Sequence, residues 1–267
     1  MNSRWIAPTG LTLIFALVAA SSAPASAQVK VLMSNGFRAA YDDILPDFEK
    51  QTGISVSTSE GPSQGDQPNT IGAQLRRGVS ADMVIMSKAG LIELVKDGRI
   101  EKGTETDLAQ VPTGVAVRAG SPKPDISTVE ALRQTLLRAK SITFRSSTIS
   151  FMRDKLLPQL GIADNVMAKF SQIGPAGVAS GEAELAIAPV SEILHVPGVQ
   201  YVGTIPAQIQ DVQTFSAAVV SGSKQLEASK RLIAFLASDE AKVTKEKNGM
   251  EPARQPKSAG AEIHLSY

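Results

Sequence analysis

The chain has 267 residues, with 27 lysines and arginines against 26 aspartates and glutamates, so the net charge is +1. Proteins that bind nucleic acid usually carry a basic excess, and the aromatic residues that stack on bases make up only 4% of this chain. We therefore expect no nucleic-acid partner. Cysteine is absent, which excludes disulfides, thiolate metal sites, cysteine nucleophiles and lipid attachment at a cysteine.

The N-terminal segment has the pattern of an export signal. Arg4 provides a short positive start, an apolar run follows at 11–20, and Ala25-Ser26-Ala27 is a small-x-small cleavage pattern. The apolar run is too short to cross a bilayer. We expect residues 1–27 to be a signal peptide cleaved after Ala27, and the mature chain to be a periplasmic protein with no membrane-inserted segment. An uncleaved anchor is the alternative.

Strand and helix signals alternate along the rest of the chain, which indicates an α/β protein with parallel strands. In the first part, the hydrophobic pattern predicts three strands and three helices. The strands are 29–33, 54–58 and 83–86, and the helices are 38–52, 71–78 and 91–98. Gly53 is placed to end the first helix, and Pro46 predicts a kink within it.

A loop around Pro112 is predicted to precede a new strand that begins at 115–117. The capping box Ser127-Thr128-Val129-Glu130 then opens a helix that runs to about Lys140. The other predicted strands are 141–144, 185–188, 199–202 and 214–220, and the other predicted helices are 150–160, 224–237 and 239–248. Residues 253–267 lack periodicity and are predicted to form a loose tail.

This order of elements favours two lobes joined by two hinge crossovers, with a ligand cleft between the lobes. The expected first lobe comprises residues 28–113 and 216–252, and the expected second lobe comprises residues 114–215. We expect the protein to be a monomer.

Three predicted loops, each at a junction between a strand and a helix, combine small hydroxyl residues with a helix N-terminus. They are Ser34–Arg38, Glu60–Asp66 and Arg145–Ser150. Ligands of open α/β sheets collect at the carboxyl ends of strands, and a helix N-terminus presents unpaired N–H groups. The three junctions therefore predict a cradle for a small oxyanion or carboxylate. Each serine taken alone is equally explained as a helix cap.

Arg38 and Arg145 strengthen this prediction, since a guanidinium pairs with a carboxylate through parallel N–H donors, although a solvated surface arginine is the alternative. A fourth junction, at 189–192, adds another serine. His195 and His264 lack metal-ligand spacing, so we expect no metal and no cofactor, and we assign no catalytic residue. The expected ligand-binding residues are Ser34, Asn35, Gly36, Arg38, Ser63, Arg145, Ser146, Ser147 and Ser191.

Several stretches between residues 29 and 252 carry a family resemblance as a set. They are Val31–Gly36, Phe48–Gly53, Gly61–Ser63, Arg77–Gly78, Ala81–Ile85, Ala116–Ile126, Gly181–Leu185 and Val196–Val199. The chain resembles the extracytoplasmic solute-binding proteins of the molybdate-binding type, which serve ABC importers. This resemblance implies a two-lobed, type II periplasmic-binding-protein-like fold, a permease partner, and ligand contacts from Ser34 and Ser63.

A second resemblance, on the same fold, is to the exported aconitate isomerases. It rests on Gly61–Pro68, Ile71, Leu75 and Arg77, and on Pro122–Ile126. The chain departs from the molybdate binders at Ala188-Pro189, where they carry a tyrosine. It departs from the enzymes at Phe144–Thr148 and at Ile187–Val190, which are stretches expected to line the pocket.

Two functions stay open at this stage. The first is capture of a small oxyanion or a di- or tricarboxylate for an ABC importer, which needs only donors and a hinge. The second is interconversion of cis- and trans-aconitate, which needs a group that removes and returns a proton. Asp66, Glu192 and Tyr41 are the available groups, and none has a visible partner. We favour the binding function, although one fold can host both.

Overall fold

The computed structural model of the protein describes residues 28–65 and 67–253. The expected signal peptide, Asp66, and residues 254–267 of the expected tail lie outside the described residues. None of the helices in the described part of the chain is both long and apolar enough to span a bilayer.

The first part of the chain forms parallel strands connected by helices, as the sequence predicts. The strands β1 (Gln28–Met33), β2 (Ser55–Glu60) and β3 (Met83–Ser87) pair in the order β2-β1-β3. The helices are α1 (Arg38–Thr52), α2 (Ile71–Arg76) and α3 (Lys88–Lys96), and a 3-10 turn over Asn35–Phe37 leads into α1. Gly53 ends α1 in the left-handed conformation, at φ 68°, and α1 continues through Pro46.

The strand β4 (Thr106–Arg118) is the largest departure from the predicted elements. A loop around Pro112 and a new strand at 115–117 were wrong predictions, because one strand runs through the proline. Proline cannot donate a ladder hydrogen bond. Here the ladder stays intact on both sides, since Pro112 lies opposite Val212 and Thr113 donates its N–H to the carbonyl of Asp211.

The next part of the chain contains the predicted helix and strands near 129–138, 142–144, 185–189 and 199–204, and also short elements at 163–167, 170–171 and 175–180, which the sequence pattern did not reveal. The elements of this part are, in chain order, α4 (Val129–Arg138), β5 (Ile142–Phe144), α5 (Ser146–Phe151), α6 (Leu157–Gln159), α7 (Ala163–Met167), β6 (Phe170–Ser171), α8 (Pro175–Ser180), β7 (Leu185–Pro189) and β8 (Val199–Thr204). A π-helical turn over Met152–Leu156 joins α5 to α6. The helix predicted at 150–160 therefore begins at Ser146, and a loop over 145–150 was a wrong prediction.

The chain then returns to the first strands through β9 (Val212–Val219), followed by α9 (Leu226–Ala237), α10 (Lys242–Lys247) and β10 (Glu251–Pro252). The sheet order is β2-β1-β3-β9-β4-β7-β5-β6, and β8 and β10 also pair with β4. The outer strands are parallel as predicted, whereas every pair that involves β4 or β9 is antiparallel.

Two main hydrophobic cores divide the protein into two lobes. The first lobe packs α1 and α9 on β1, β3 and β9, and the second packs α4 and the α5–α6 segment on β5 and β7. The strand β4 belongs to both cores, since Leu108 and Val111 lie in the first and Val115 and Val117 lie in the second. The residue boundaries given above for the lobes stay a prediction.

A side-chain amide holds the two chain crossings together. The Gln210 Oε1 accepts the Thr113 N–H at 2.8 Å, and its Nε2 donates to the carbonyls of Thr113 and Ile205, each at 3.1 Å. These bonds join the outgoing strand at Thr113 to the returning chain at Gln210. The amide thus supplements the backbone ladder at the point where β4 passes from one lobe to the other.

We predict that Gln210→Leu lowers the free energy of unfolding by about 1.5–4.5 kcal/mol, measured by urea denaturation. Three hydrogen bonds are lost, each worth about 0.5–1.5 kcal/mol, while Thr113 keeps its backbone partners. The matched control is Gln159→Leu, at an exposed position, which we expect to stay within about 0.5 kcal/mol of the wild type. Equal effects of the two substitutions would show that backbone pairing alone holds the crossing.

Candidate functional site

A cavity of about 200 Å³ lies between the two lobes, at the carboxyl ends of β1, β2 and β5. We call it the interlobe cavity. It is lined by Ser34, Asn35, Glu60, Gly61, Pro62, Ser63, Asn69, Arg145 and Glu192. Four of the expected ligand-binding residues therefore line one cavity, namely Ser34, Asn35, Ser63 and Arg145.

Two serines from the first lobe bring hydroxyl groups to this cavity. Ser34 is 6% exposed, its N–H donates to the carbonyl of Ile85 at 2.8 Å, and its hydroxyl has no hydrogen-bond partner among the groups that the structure describes. The Ser63 hydroxyl accepts the N–H of Ser87 at 2.9 Å. This contact orients the Ser63 oxygen and leaves its proton available, so each serine can donate to a ligand oxygen.

Close backbone packing fixes the two serine loops. A Cβ on Gly36 would lie 2.2 Å from the ring of Phe215, and a Cβ on Gly90 would lie 2.5 Å from the Ser63 carbonyl oxygen. Only glycine permits these approaches without movement of the neighbouring atoms. The loops after β1 and β2 are therefore seated directly on β9 and α3.

Arg145 and Glu192 form the second lobe's side of the interlobe cavity. Arg145 stands directly before α5, and its Nε donates to Glu192 Oε2 at 2.7 Å. The Glu192 side chain is 6% exposed, whereas that of Arg145 is 38% exposed. Because the ion pair uses the Nε, the two terminal nitrogens of Arg145 remain able to donate to a ligand.

Arg38 does not line the cavity but balances its charge. It forms ion pairs with Asp42 at 2.5 Å and with Glu60, whose carboxylate lies in the lining. Both acidic groups of the lining, Glu60 and Glu192, are therefore paired with an arginine. Among the described lining residues, no negative charge is left without an arginine partner.

Gly36 and Ser191 connect the lobes and are absent from the cavity lining. The Ser191 hydroxyl donates to the Gly36 carbonyl at 2.7 Å, and both residues are buried. Ser146 and Ser147 open α5, and their side chains lie outside what the structure describes. Sequence reasoning did not select Glu60 and Asn69 as ligand contacts, although Glu60 ends β2 within one of the junctions identified there.

The three groups considered for proton transfer fall in different places. Tyr41 lies fully buried in the first core, its hydroxyl is hydrogen-bonded to Thr58 at 2.8 Å, and burial raises its pKa to about 12. It is therefore protonated at neutral pH, and it is not among the residues that line the cavity. Glu192 lines the cavity, and Asp66 lies outside the described residues.

No histidine of the described residues lines the interlobe cavity. His195 is exposed and does not line it, and His264 lies outside the described residues. No group of three or more potential metal ligands occurs among the residues that the structure describes.

Comparison with known proteins gives the family and the fold. The sequence profile described as "Bacterial extracellular solute-binding protein" matches residues 29–251. The chain is 37% identical over 246 residues to an aconitate isomerase from a Pseudomonas species, a match that covers 89% of this chain and 94% of that protein. The sequence resemblance to solute-binding proteins, and to aconitate isomerase on the same fold, is confirmed.

Solved structures of periplasmic binding proteins share this architecture. The molybdate-binding protein of Azotobacter vinelandii superposes with a TM-score of 0.67 at 18% identity, over 83% of this chain and 98% of that one. The sulfate-binding protein SubI of Mycobacterium tuberculosis gives a TM-score of 0.68 at 18% identity, over 85% of this chain and 88% of that one. The predicted two-lobed α/β fold of type II is confirmed.

We predict that Gly174→Ala displaces Arg145. Gly174 has φ 75° and ψ −167°, a conformation that only glycine adopts without strain, and a Cβ there would lie 2.6 Å from the Arg145 Cδ. The free energy of unfolding should fall by about 1–3 kcal/mol. The NMR signal of the Arg145 Nε–H should also move as its bond to Glu192 breaks.

The control is Gly161→Ala. Gly161 also has a positive φ, of 65°, but a Cβ there would meet no heavy atom of the described residues within 4 Å. This variant should lose stability while the Arg145 signal stays in place. If that signal is unchanged in Gly174→Ala as well, Gly174 does not position the arginine.

Proposed function

Because the chain belongs to the family of bacterial extracellular solute-binding proteins, we propose that it captures a small anion, an oxyanion or a carboxylate, in the interlobe cavity. One observation carries this proposal: hydroxyl donors of one lobe and a guanidinium of the other line the same cavity. A guanidinium only donates hydrogen bonds, and a serine hydroxyl can donate its proton, so both kinds of group can bind an unprotonated oxygen.

The state of these donors supports a ligand between the lobes. The Ser34 hydroxyl lines the cavity and has no partner among the described residues, so its proton can be donated to an anion oxygen. The Ser87 N–H orients Ser63, and Glu192 orients Arg145. A ligand that accepts from Ser34, Ser63 and Arg145 together would tie the lobes to each other, in addition to the bond between Ser191 and Gly36.

The size of the cavity favours a carboxylate over a tetrahedral oxyanion. A volume of about 200 Å³ holds about seven water molecules at about 30 Å³ each. A tetrahedral oxyanion would leave much of this space to water, whereas a di- or tricarboxylate of citrate size would fill it. A polycarboxylate also offers one carboxylate to Arg145 and another to the serines.

The biological setting follows from the family. We propose that the protein works in the periplasm after cleavage near Ala27, as a monomer, and delivers its ligand to a permease of the ABC type. The expected export segment and the extracellular character of the family support this setting.

Thermal-shift measurements with molybdate, tungstate, sulfate, citrate and both aconitate isomers test the proposal. We predict that at least one carboxylate raises the melting temperature, since a ligand at about 100 times its Kd stabilises by about 2.7 kcal/mol. For that ligand, Ser34→Ala and Arg145→Gln should each weaken binding about tenfold to a hundredfold, because each removes a hydrogen bond to a charged group.

Matched substitutions outside the cavity serve as controls. Ser57→Ala, on the exposed face of β2, and Arg153→Gln, in an exposed ion pair, should bind as the wild type does. If no anion changes the melting temperature, or if Ser34→Ala and Arg145→Gln bind as tightly as their controls, the interlobe cavity is not an anion site.

A second candidate function is isomerisation of aconitate, and the 37% identity to an aconitate isomerase over nearly its whole length favours it. The reaction would take a proton from the methylene carbon of trans-aconitate and return one to the former vinyl carbon, so that the double bond moves and no other reactant is needed. Glu192 is the described carboxylate that both lines the cavity and touches the expected anion-binding arginine. It is our choice for the group that carries the proton.

Incubation with trans-aconitate, followed by chromatography for the cis isomer, tests this function. If the protein is an isomerase, we predict that Glu192→Gln lowers turnover about 100- to 10,000-fold while trans-aconitate still binds, because glutamine keeps an oxygen for Arg145 but cannot carry the proton. Glu227→Gln, at an exposed site on α9, is the control. A wild-type protein that binds trans-aconitate without converting it is a binding protein only.

A further inference from the structure

A second cavity, of about 460 Å³, lies in the second lobe and shares no lining residue with the interlobe cavity. We call it the distal cavity. It is formed where β4 ends and β7 begins, between the C-terminal ends of α4 and α8. Since the interlobe cavity lies beyond the other end of β7, the two cavities are at opposite ends of this strand. The volume of the distal cavity falls in the range of about 300–1,000 Å³ that small-molecule sites occupy.

The floor of the distal cavity is apolar. Val117, Val178 and Leu185 all line it and are buried within the second lobe. Pro122 and Pro124 add apolar surface at one side. The cavity can therefore bury the apolar body of a ligand, which is the main source of affinity in such sites.

Two arginines at the edge of the distal cavity give it a positive character. Arg118 and Arg138 both line it, and neither forms an ion pair within the part of the chain that the structure describes. A Cβ on Gly181 would lie 3.5 Å from the Arg118 Nη1, so this guanidinium lies over the end of α8. Both arginines therefore retain donors for an anionic group.

The negative groups nearby are engaged by other partners. The carboxylate of Glu184, in the lining, accepts the N–H of Lys140 at 2.7 Å. The carboxylate of Asp125, which lies close to Arg138, accepts the N–H of Ser127 at 2.9 Å. At the end of α4, the Leu137 carbonyl accepts from the Lys169 ammonium at 2.7 Å, which offsets the negative end of this helix.

From this arrangement, we propose that the distal cavity binds a small amphipathic anion, with an apolar body on the valine and leucine floor and a carboxylate between Arg118 and Arg138. The site is independent of the interlobe cavity and of the function proposed for it. It also gives a role to Ala116–Ile126 and Gly181–Leu185, two stretches of the family resemblance that line this cavity and do not reach the other.

Phenylacetate and its neutral analogue phenylacetamide test the charge requirement on the full chain, by titration followed with methyl NMR. We expect saturable binding of phenylacetate that shifts the methyl signals of Val178 and Leu185 and leaves that of Ile85, in the first lobe, in place. Phenylacetamide should bind at least about tenfold more weakly, because its amide lacks the charge that the arginines recognise.

Arg118→Gln and Arg138→Gln should each weaken phenylacetate binding at least about tenfold. Arg231→Gln, at an exposed position on α9, is the matched control and should bind as the wild type does. Circular dichroism checks that each variant folds. The proposal is overturned if phenylacetate does not saturate, if phenylacetamide binds equally well, if either arginine variant binds like Arg231→Gln, or if the shifted methyl groups lie in the first lobe.

Discussion

The strand β4 is the constraint on which both lobes depend. Its first part pairs with β9, and its last part pairs with β7 and β8. One strand therefore forms backbone hydrogen bonds in the sheets of both lobes. A flexible linker at Pro112 would let the lobes drift apart, whereas a continuous strand keeps the junctions after β1 and β2 opposite those after β5 and β7. The strand β4 and the amide of Gln210 connect the two lobes that line the interlobe cavity.

The cavity is prepared for its ligand before the ligand arrives. The Ser87 N–H orients Ser63, Glu192 orients Arg145, and the glycines at 36 and 90 let the serine loops pack closely on their supports. Groups that are already ordered lose little conformational freedom on binding, so more of the interaction energy appears as affinity. Because Arg145 pairs with Glu192, this buried carboxylate has a counter-charge before a ligand binds.

The sequence predicted elements whose signal is local and missed those decided by tertiary contacts. The apolar run at 83–86 is a buried strand, and Gly53 ends its helix, because these signals are carried by the residues themselves. Pro112 predicts a break in the strand, but pairing with β9 keeps this residue within β4. The hydroxyl residues at 146–150 read as a loop but form a helix. Ser191 was assigned to the ligand, and its bond to Gly36, 155 residues away, could not be read from the chain.

Binding and isomerisation differ here in what happens to one ion pair. When no ligand is bound, the Glu192 carboxylate accepts the hydrogen bond of the Arg145 Nε. An incoming carboxylate accepts from the same guanidinium, and so it competes with Glu192 for those donors. A ligand that takes only the terminal nitrogens leaves Glu192 as an anchor, and the protein is then a carrier. A ligand that draws Arg145 away leaves the Glu192 carboxylate next to the substrate, where it can serve as the base in the isomerisation proposed above. The same fold can therefore carry or convert its ligand, according to where the carboxylates of that ligand lie relative to Arg145.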